Sequence, residues 1–513
     1  MKTAIDGKLA RRIDRYSIEN GMPSMVLMER AALCTAECVK NITKNKNLRK
    51  NVIAVCSVGN NGADGLAAIR MLKADGYNCK ALIIGNTELA TEEFKAQLGL
   101  IHFWGIPVKQ WEEDIHADIF DEYNIIVDAV FGIGLSRNVE GEYARLVECI
   151  NEAYGTVVAV DIPSGINLAS GAVMGKAVRA DYTVAFGYAK LGELLYPGRT
   201  YTGKLVVNEI GFLPYDFETN DSEQGSHAVY FGENDLHKMI PVRDRHTNKG
   251  SYGKPLIIAG SKDMTGAAFM SAMAAYRTGA GVVTVLTHSS ADEYLKSVLP
   301  EAIVKSYDDN PEMILERTMP AASVIVIGPG MSGGELSKKI VGYVLLHAEV
   351  PVIADADALN IISENTDNWL ADERRRSFSY PLIITPHVGE MSRLSGYAIS
   401  EIASNIPHYA LEFARRYRVY CVLKDAVSAV ASENGELFLT TCGNPGMASA
   451  GSGDVLTGVL AAVNAWKGCD FFERIALGVQ LHAEAGDKAA EKVGEHSLMA
   501  RDIIDAIPEV LMK

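Results

Sequence analysis

Short, nearly continuous apolar runs alternate with stretches of helical periodicity along most of the chain. That alternation predicts mostly parallel β-sheets covered by helices, an α/β architecture. Residues 1–50 read as helical, and the segment 25–33 places Val26, Glu29, Arg30 and Leu33 on nearby helix faces. Glu29 inside this apolar run fits either an exposed helix face or the edge of a site. The run 51–58 (Asn-Val-Ile-Ala-Val-Cys-Ser-Val) has the pattern of a buried parallel strand, and strands are predicted again at 79–84, 124–130, 156–160, 183–186 and 204–210. Helices are expected between them at 66–73, 91–104 and 141–153. In the second half, strands are expected at 255–259, 282–286, 323–327, 350–354, 382–385 and 418–423. A small-residue helix, 267–278, is expected to pack close to the sheet. The pieces 427–431 and 438–440 could form a hairpin.

Length and composition sharpen this picture. A chain of 513 residues is too long for one ordinary domain. The stretch 212–226 is polar and acidic and reads as a linker. We divide the chain into a domain 1–214, a linker 215–228 and a domain 229–513. The halves look unlike each other, which argues against duplication. A formal net charge of −15 argues against a nonspecific nucleic-acid binder. The eight cysteines are scattered and form no CxxC pair, so zinc is not expected and a reduced cytoplasm is. Charges at Lys2, Asp6, Lys8, Arg11 and Arg12 leave no signal-peptide core, and no apolar run is long enough to span a membrane.

Candidate chemistry gathers where strands end. Gly59-Asn-Asn-Gly-Ala-Asp-Gly65 follows the first strand and opens a helix, a layout that presents backbone N–H groups to a phosphate-bearing ligand. It is neither GxGxxG nor a Walker loop. Asp128 and Asp161 end two further strands, each before a glycine-containing loop. In the second half, Gly328-Pro-Gly330, Asp355-Ala-Asp357, Thr385-Pro-His-Val-Gly-Glu390 and Lys424-Asp-Ala426 would share one sheet edge. The stretch 444–458, with Gly451-Ser-Gly-Asp454 before an apolar helical run, completes a cleft there. A helix starting at this point aims its positive end at an anion, and an acidic side chain beside it is well placed as a base. A Gly/Ser turn with Asp454 as a plain helix cap is the structural alternative.

Taken together these motifs resemble two known families in fused order. The second half resembles the ribokinase-like ADP-dependent NAD(P)H-hydrate dehydratases, on Gly260-Ser…Thr265-Gly-Ala267, Gly328-Pro-Gly330, Asp355-Ala-Asp-Ala-Leu-Asn360, Thr385–Glu390 and Asn444-Pro-Gly-Met…Gly453-Asp-Val-Leu456. The first half resembles the NAD(P)H-hydrate epimerases, on Asn60-Asn-Gly-Ala-Asp-Gly65, Asp128-Ala-Val-Phe-Gly132 and Asp161-Ile-Pro-Ser-Gly165. The resemblance implies a Rossmann-like three-layer domain followed by a ribokinase-like one. It implies substrates NADHX and NADPHX, hydrated at C6 of the nicotinamide, with ADP as phosphoryl donor, Mg²⁺ and K⁺. Asp454 would be the base, with Gly451, Ser452 and Gly453 around the transferring phosphoryl group. Ala267, Gly330 and His387 would meet the dinucleotide, and Lys424, Asp425, Ala426, Val427, Ser428 and Asn444 the adenine nucleotide. In the epimerase half, Asp161 would be the acid/base residue. Asn60, Asn61, Gly62, Ala63 and Asp64 would bind substrate under a loop of Gly132, Ile133, Gly134, Leu135, Ser136, Arg137 and Asn138. Asn61, Asp128 and Ser164 would hold potassium, a hard cation suited to oxygen donors. A homo-oligomer is expected, with no nucleic-acid or membrane partner, and no direct transfer of substrate between the two sites.

Two positions depart from the family pattern. Val388 stands where proline is common, and Asp425 where glycine is, which adds a negative charge near the expected ADP site. Two other functions compete: an ATP-dependent small-molecule kinase on the same fold, and a non-catalytic scaffold for the first half.

Overall fold

The run 51–58 becomes the strand Asn51–Ser57, an interior strand of a seven-stranded parallel sheet. The strand order is Val108–Gln110, Asn78–Ile84, Asn51–Ser57, Ile125–Ala129, Thr156–Val160, Tyr182–Phe186, Lys204–Asn208. Both faces are covered. Val52, Ala54 and Cys56 pack toward the helices Ser24–Asn45, Asn60–Ala74 and Glu92–Phe103, while Ile53 and Val55 pack toward the helix Gly141–Glu152. This is why the strand reads as apolar at every position rather than at alternate ones. Glu29 does not line the cavity, and its side chain is 38% exposed. Both its carboxylate oxygens accept from Arg70 Nη2 at 2.6 Å and one accepts from Gln97 Nε2, tying three helices together.

The structure, a computed structural model, describes residues 1–217, 226–232, 234–371 and 380–512. It contains two compact units: Thr3–Ala228, and Val229–Lys513 with Met1–Lys2. In the second unit the strands Ile303–Tyr307, Thr284–His288, Pro255–Ile258, Val324–Ile327, Val352–Ala354, Leu382–Ile384 and Tyr420–Leu423 run parallel in that spatial order. Ala429–Ala431 and Leu437–Leu439 follow as an antiparallel hairpin. The small-residue helix is Thr265–Thr278, and its closest partner is the helix Ser452–Val463 rather than the sheet. A Cβ on Gly458 would lie 2.0 Å from the Ser271 carbonyl, and Ser271 Oγ meets Thr457 Oγ1 at 2.9 Å.

Several elements differ from expectation, the short strands Ala189–Lys190 and His227–Tyr230 among them. Lys2–Ile5, inside a stretch that reads as helical, is a strand, because Ala4 and Ile5 pair with Ala189 and Lys190, far away in sequence. Val108–Gln110 and Ile303–Tyr307 are edge strands with too little continuous burial to announce themselves. Of the expected linker, residues 218–225 lie outside the described residues. Its first residues are packed. Tyr215 meets Tyr16 and Phe217 edge-on, and Phe217 meets Tyr188, so the rings bury area that their polar neighbours obscure in a composition reading.

Candidate active sites

Each sheet has a switch point, where successive strands add on opposite sides and a crevice opens at the strands' carboxyl ends. In the first unit it lies between Asn51–Ser57 and Ile125–Ala129, with Val55 beside Asp128. A cavity of about 560 Å³ opens there. Asn60, Asn61, Asp64, Gly132, Ile133, Gly134, Leu135, Ser136, Arg137 and Asp161 line it. Three expected residues do not: Gly62, Ala63 and Asn138. A Cβ on Gly62 would stand 1.7 Å from the Ser57 carbonyl oxygen and one on Gly65 2.5 Å from Ala129 Cβ, so these glycines let the helix lie down on the sheet. Ala63 is fully buried in that same contact layer.

Asp161 sits at the end of its strand with φ of 69°, a left-handed conformation costly for a non-glycine residue. Its carboxylate is held from two sides, by the Phe186 N–H at 3.3 Å and by a short ion pair with Lys190, whose side chain is 2% exposed. Glu193 accepts from the Lys190 N–H at 2.6 Å, and burial pushes its carboxyl up to about 8. Neither Lys190 nor Glu193 was foreseen as a site residue. The signal available was two charges three apart inside Ala189-Lys-Leu-Gly-Glu-Leu-Leu195. Arg11 and Asp14, on the helix Gly7–Glu19, also line the cavity and were also missed. Arg11 Nη1 donates to the Ile133 carbonyl and anchors the loop 132–137.

Asp128 is fully buried. Its oxygens accept from Ser164 Oγ at 2.6 Å, Ser164 N at 2.9 Å and Val130 N at 3.2 Å. Burial nevertheless pushes it up to about 6, and among the described residues no cationic side chain offsets its charge. Asn61 Nδ2 is buried with no partner, and Asn61 Oδ1 lies against Gly132. A buried carboxylate, a hydroxyl and an amide oxygen form a donor set that fits a monovalent cation.

The second unit's switch point lies between Pro255–Ile258 and Val324–Ile327. Gly330, with φ of 61°, approaches so closely that a Cβ would be 2.9 Å from Ala267 Cβ, which places the expected pair Ala267 and Gly330 side by side. The loop 385–390 joins the edge of Tyr420–Leu423 where the Lys424 N–H donates to the Pro386 carbonyl at 2.8 Å. His387 caps the helix Val388–Ser395, its Nδ1 accepting from Gly389 N at 3.0 Å and Glu390 N at 3.3 Å. Burial, then Lys424 and Arg393, lower its pKa, and with Nδ1 accepting, the proton stands on Nε2, which lies 3.7 Å from Glu390 Oε1. Val388 is the first residue of that helix, a position that favours proline but does not require it.

Asp454 stands in the first turn of Ser452–Val463, after Gly451 with φ of 92°. Ser452 N–H is taken by the Ser449 carbonyl and Val455 N–H by Gly451, leaving the Gly453 and Asp454 N–H groups, among the described residues, without a carbonyl partner. Lys424 Nζ donates to Asp355 Oδ1 at 2.9 Å, and a Cβ on Gly453 would lie 3.3 Å from that ammonium. Burial, then the Asp355 charge, push Asp454 up to about 7 against the pull of Lys424. Glu390 is pushed up to about 7 by burial too. Of the other expected nucleotide residues, Asp425 and Ala426 are exposed, Val427 is buried at 3% exposure, and the Ser428 N–H donates to Thr440 Oγ1. The Asn444 side chain is committed to the fold, donating to Asp487 Oδ1 and accepting from the Gly446 N–H. Asp355 and Asp357 both raise Asp454 by their charge; among the described residues these carboxylates do not form a metal site by themselves, and a hydrated divalent cation there would need phosphate oxygens as well.

Residues 24–192 match the family described as YjeF-related protein N-terminus, and residues 255–509 the family described as NAD(P)H-hydrate dehydratase. The chain is similar along its length to the bifunctional NAD(P)H-hydrate repair enzyme Nnr of Thermofilum pendens, 34% identical over 97% of this chain and 94% of the relative. The enzyme of the same name from Moorella thermoacetica is 33% identical over 98% and 95%, and that from Escherichia coli 32% over 90% and 84%. Among solved structures, the ADP/ATP-dependent NAD(P)H-hydrate dehydratase of Bacillus subtilis, co-crystallised with ATP/Mg²⁺, is 29% identical, covers 55% of this chain and 97% of its own, and has a TM-score of 0.49.

Proposed function

We propose how the two sites divide the work in this chain, which belongs to the family of bifunctional NAD(P)H-hydrate repair enzymes. It repairs hydrated NADH and NADPH, by epimerising the R and S hydrates and by dehydrating the S form in an ADP-dependent step. We assign epimerisation to residues 1–214 and dehydration to residues 229–513.

The observation that supports the second assignment best is the position of Asp454. Its carboxyl, poised near neutrality, stands beside unpaired N–H groups at the positive end of a twelve-residue helix. Asp454 takes the proton of the C6 hydroxyl as that oxygen attacks the β-phosphoryl group of ADP. The Gly453 N–H and the helix dipole stabilise the charge on the transferring group, and AMP leaves. Loss of phosphate then restores the reduced ring. Asp355 and Asp357 would hold Mg²⁺ against the phosphates, and the metal would supply charge neutralisation. Lys424 pairs with Asp355 beside the base. His387 offers a donor at Nε2 to the dinucleotide. Asp425 projects into solvent, so its extra charge bears on nucleotide affinity rather than on the reaction.

In the first unit, Asp161 is the acid/base residue, and Asn60, Asn61, Asp64 and the loop 132–137 receive the substrate. Asn61, Asp128 and Ser164 would hold potassium, which would supply a fixed positive charge under the substrate. We also place the enzyme in the cytoplasm as a homo-oligomer. Eight free cysteines suit a reducing compartment, and among the described residues no helix is long and apolar enough to cross a membrane. Light scattering tests the assembly.

The kinase reading has no observation in its favour, since full-length relatives share both halves in the same order. The deciding experiment follows the near-ultraviolet absorbance of reduced nicotinamide in a mixed R/S NADHX sample, with and without ADP and Mg²⁺. Recovery of the whole mixture only with ADP is the expected result. Absence of recovery with either ADP or ATP would exclude the repair assignment.

A further inference from the structure

Asp14 has no part in the scheme so far. It stands on the helix Gly7–Glu19, ahead of the residues 24–192 that match the family, yet it lines the cavity with Asp64 and Asp161. The buried Lys190 ammonium beside these carboxylates is already committed to Asp161. Asp14 accepts no hydrogen bond among the described residues, and burial, then the Asp161 charge, raise its pKa. The charged groups around the cavity are Arg11 on its own helix, Asp64, Glu93, Arg137, Asp161 and Lys190. Arg11 Nη1 donates to the Ile133 carbonyl, and burial and the Asp161 charge act on Asp14 with no cation offsetting them. The arrangement is one carboxylate paired with its cation, Asp161, and two carboxyls raised by burial and by the Asp161 charge, Asp64 and, on the helix Gly7–Glu19, Asp14.

We propose that Asp14 is a second catalytic residue of the epimerase site, carrying a proton to and from the ring nitrogen while Asp161 serves the C6 hydroxyl. The inference rests on the epimerase reading of this cavity. The C6 carbon of the hydrate bears both the hydroxyl and N1, so it inverts by ring opening. Asp161 takes the hydroxyl proton, the C–O bond becomes a carbonyl, and the C6–N1 bond breaks with its electron pair going to N1. N1 takes the Asp14 proton. Rotation about C5–C6 presents the other carbonyl face. N1 adds back, returning its proton to Asp14, and the oxygen recovers the proton held by Asp161. No other reactant is consumed. Separate carriers let both transfers occur together, since N1 gains a proton while the oxygen loses one.

The test measures R-to-S interconversion by the full chain carrying Asp14→Asn or Asp14→Glu, with R-NADHX and without ADP. Removing a positioned general acid costs about 10²–10⁴-fold, so kcat of Asp14→Asn should fall at least about 100-fold with KM little changed. The decline of kcat on the alkaline side, where Asp14 loses its proton, should vanish, and Asp14→Glu should recover part of the rate. ADP-dependent dehydration of S-NADHX should be unaffected and reports an intact protein. A kcat for Asp14→Asn near the parent's with the same pH profile, or a loss confined to KM, overturns the proposal. A parent protein that interconverts nothing overturns the epimerase reading and the proposal with it.

Discussion

At the scale of single residues, burial sets the chemistry and the two sites use it differently. Asp454 is pushed up to about 7, so dehydration should speed up as pH rises through about 7 and the base ionises, then level off. The same displacement acts on stability. A carboxyl raised from 3.8 to about 7 contributes stability that is complete below about 4 and is lost as pH rises through about 7. Asp454→Asn should therefore cut dehydration by about 10²-fold or more while raising the melting temperature at pH 8. The gain is a few degrees, since ~1 kcal/mol moves a large domain by about 2–4 °C. A parallel decrease in activity and melting temperature would contradict this. Asp128 tests the potassium assignment. Replacing K⁺ by choline should slow epimerisation, restoring K⁺ should recover it, and Asp128→Asn should abolish that response. An epimerase indifferent to K⁺ would remove the cation from the scheme.

At the scale of elements, glycines decide how near helices come to what they serve. Gly62 and Gly65 appear in the sequence as part of a ligand loop, but Gly62 is spent on contact with the Ser57 carbonyl. Gly62→Ala forces a methyl into backbone and should destabilise the first unit by about 3 kcal/mol or more, in the range that marks a broken core contact; urea denaturation measures it. Gly458 does the same work for the helix that carries Asp454, against the Ser271 carbonyl. Overpacking costs about 1–3 kcal/mol, and Gly458→Val should also lower the dehydratase rate by tilting the helix start. Unchanged kinetics in a destabilised Gly458→Val protein would show that this packing sets stability alone. Neither close approach is visible in periodicity, because each depends on which carbonyl lies opposite.

At the scale of the whole molecule, the two activities should separate cleanly by substitution. Asp161→Asn should stop recovery of a mixed hydrate sample at the S fraction. Asp454→Asn should give no recovery while R and S still interconvert. Mixing the two variants should restore full recovery, because an epimer released to solution is a substrate for either copy. Failure of the mixture, with each variant intact in its own assay, would mean that substrate passes directly between sites of one chain.

The sequence by itself determined the α/β class, the order of most strands, and the loops that end in Asp128, Asp161 and Asp454. Those features are local: a strand buried on both faces must be apolar throughout, and a loop that approaches a ligand closely needs small residues. Tertiary structure alone decided which residues meet in the cavity. It brought Asp14 and Arg11 from the first helix and Lys190 from a segment with no loop motif, while taking Gly62, Ala63 and Asn138 off the wall. It turned Lys2–Ile5 into a strand and packed Tyr215 and Phe217 where polar neighbours suggested a linker. The physical reason is the same in each case. Pairing partners, desolvation and charge neighbours are properties of distance in space, and a chain's local composition does not encode which distant segment will arrive.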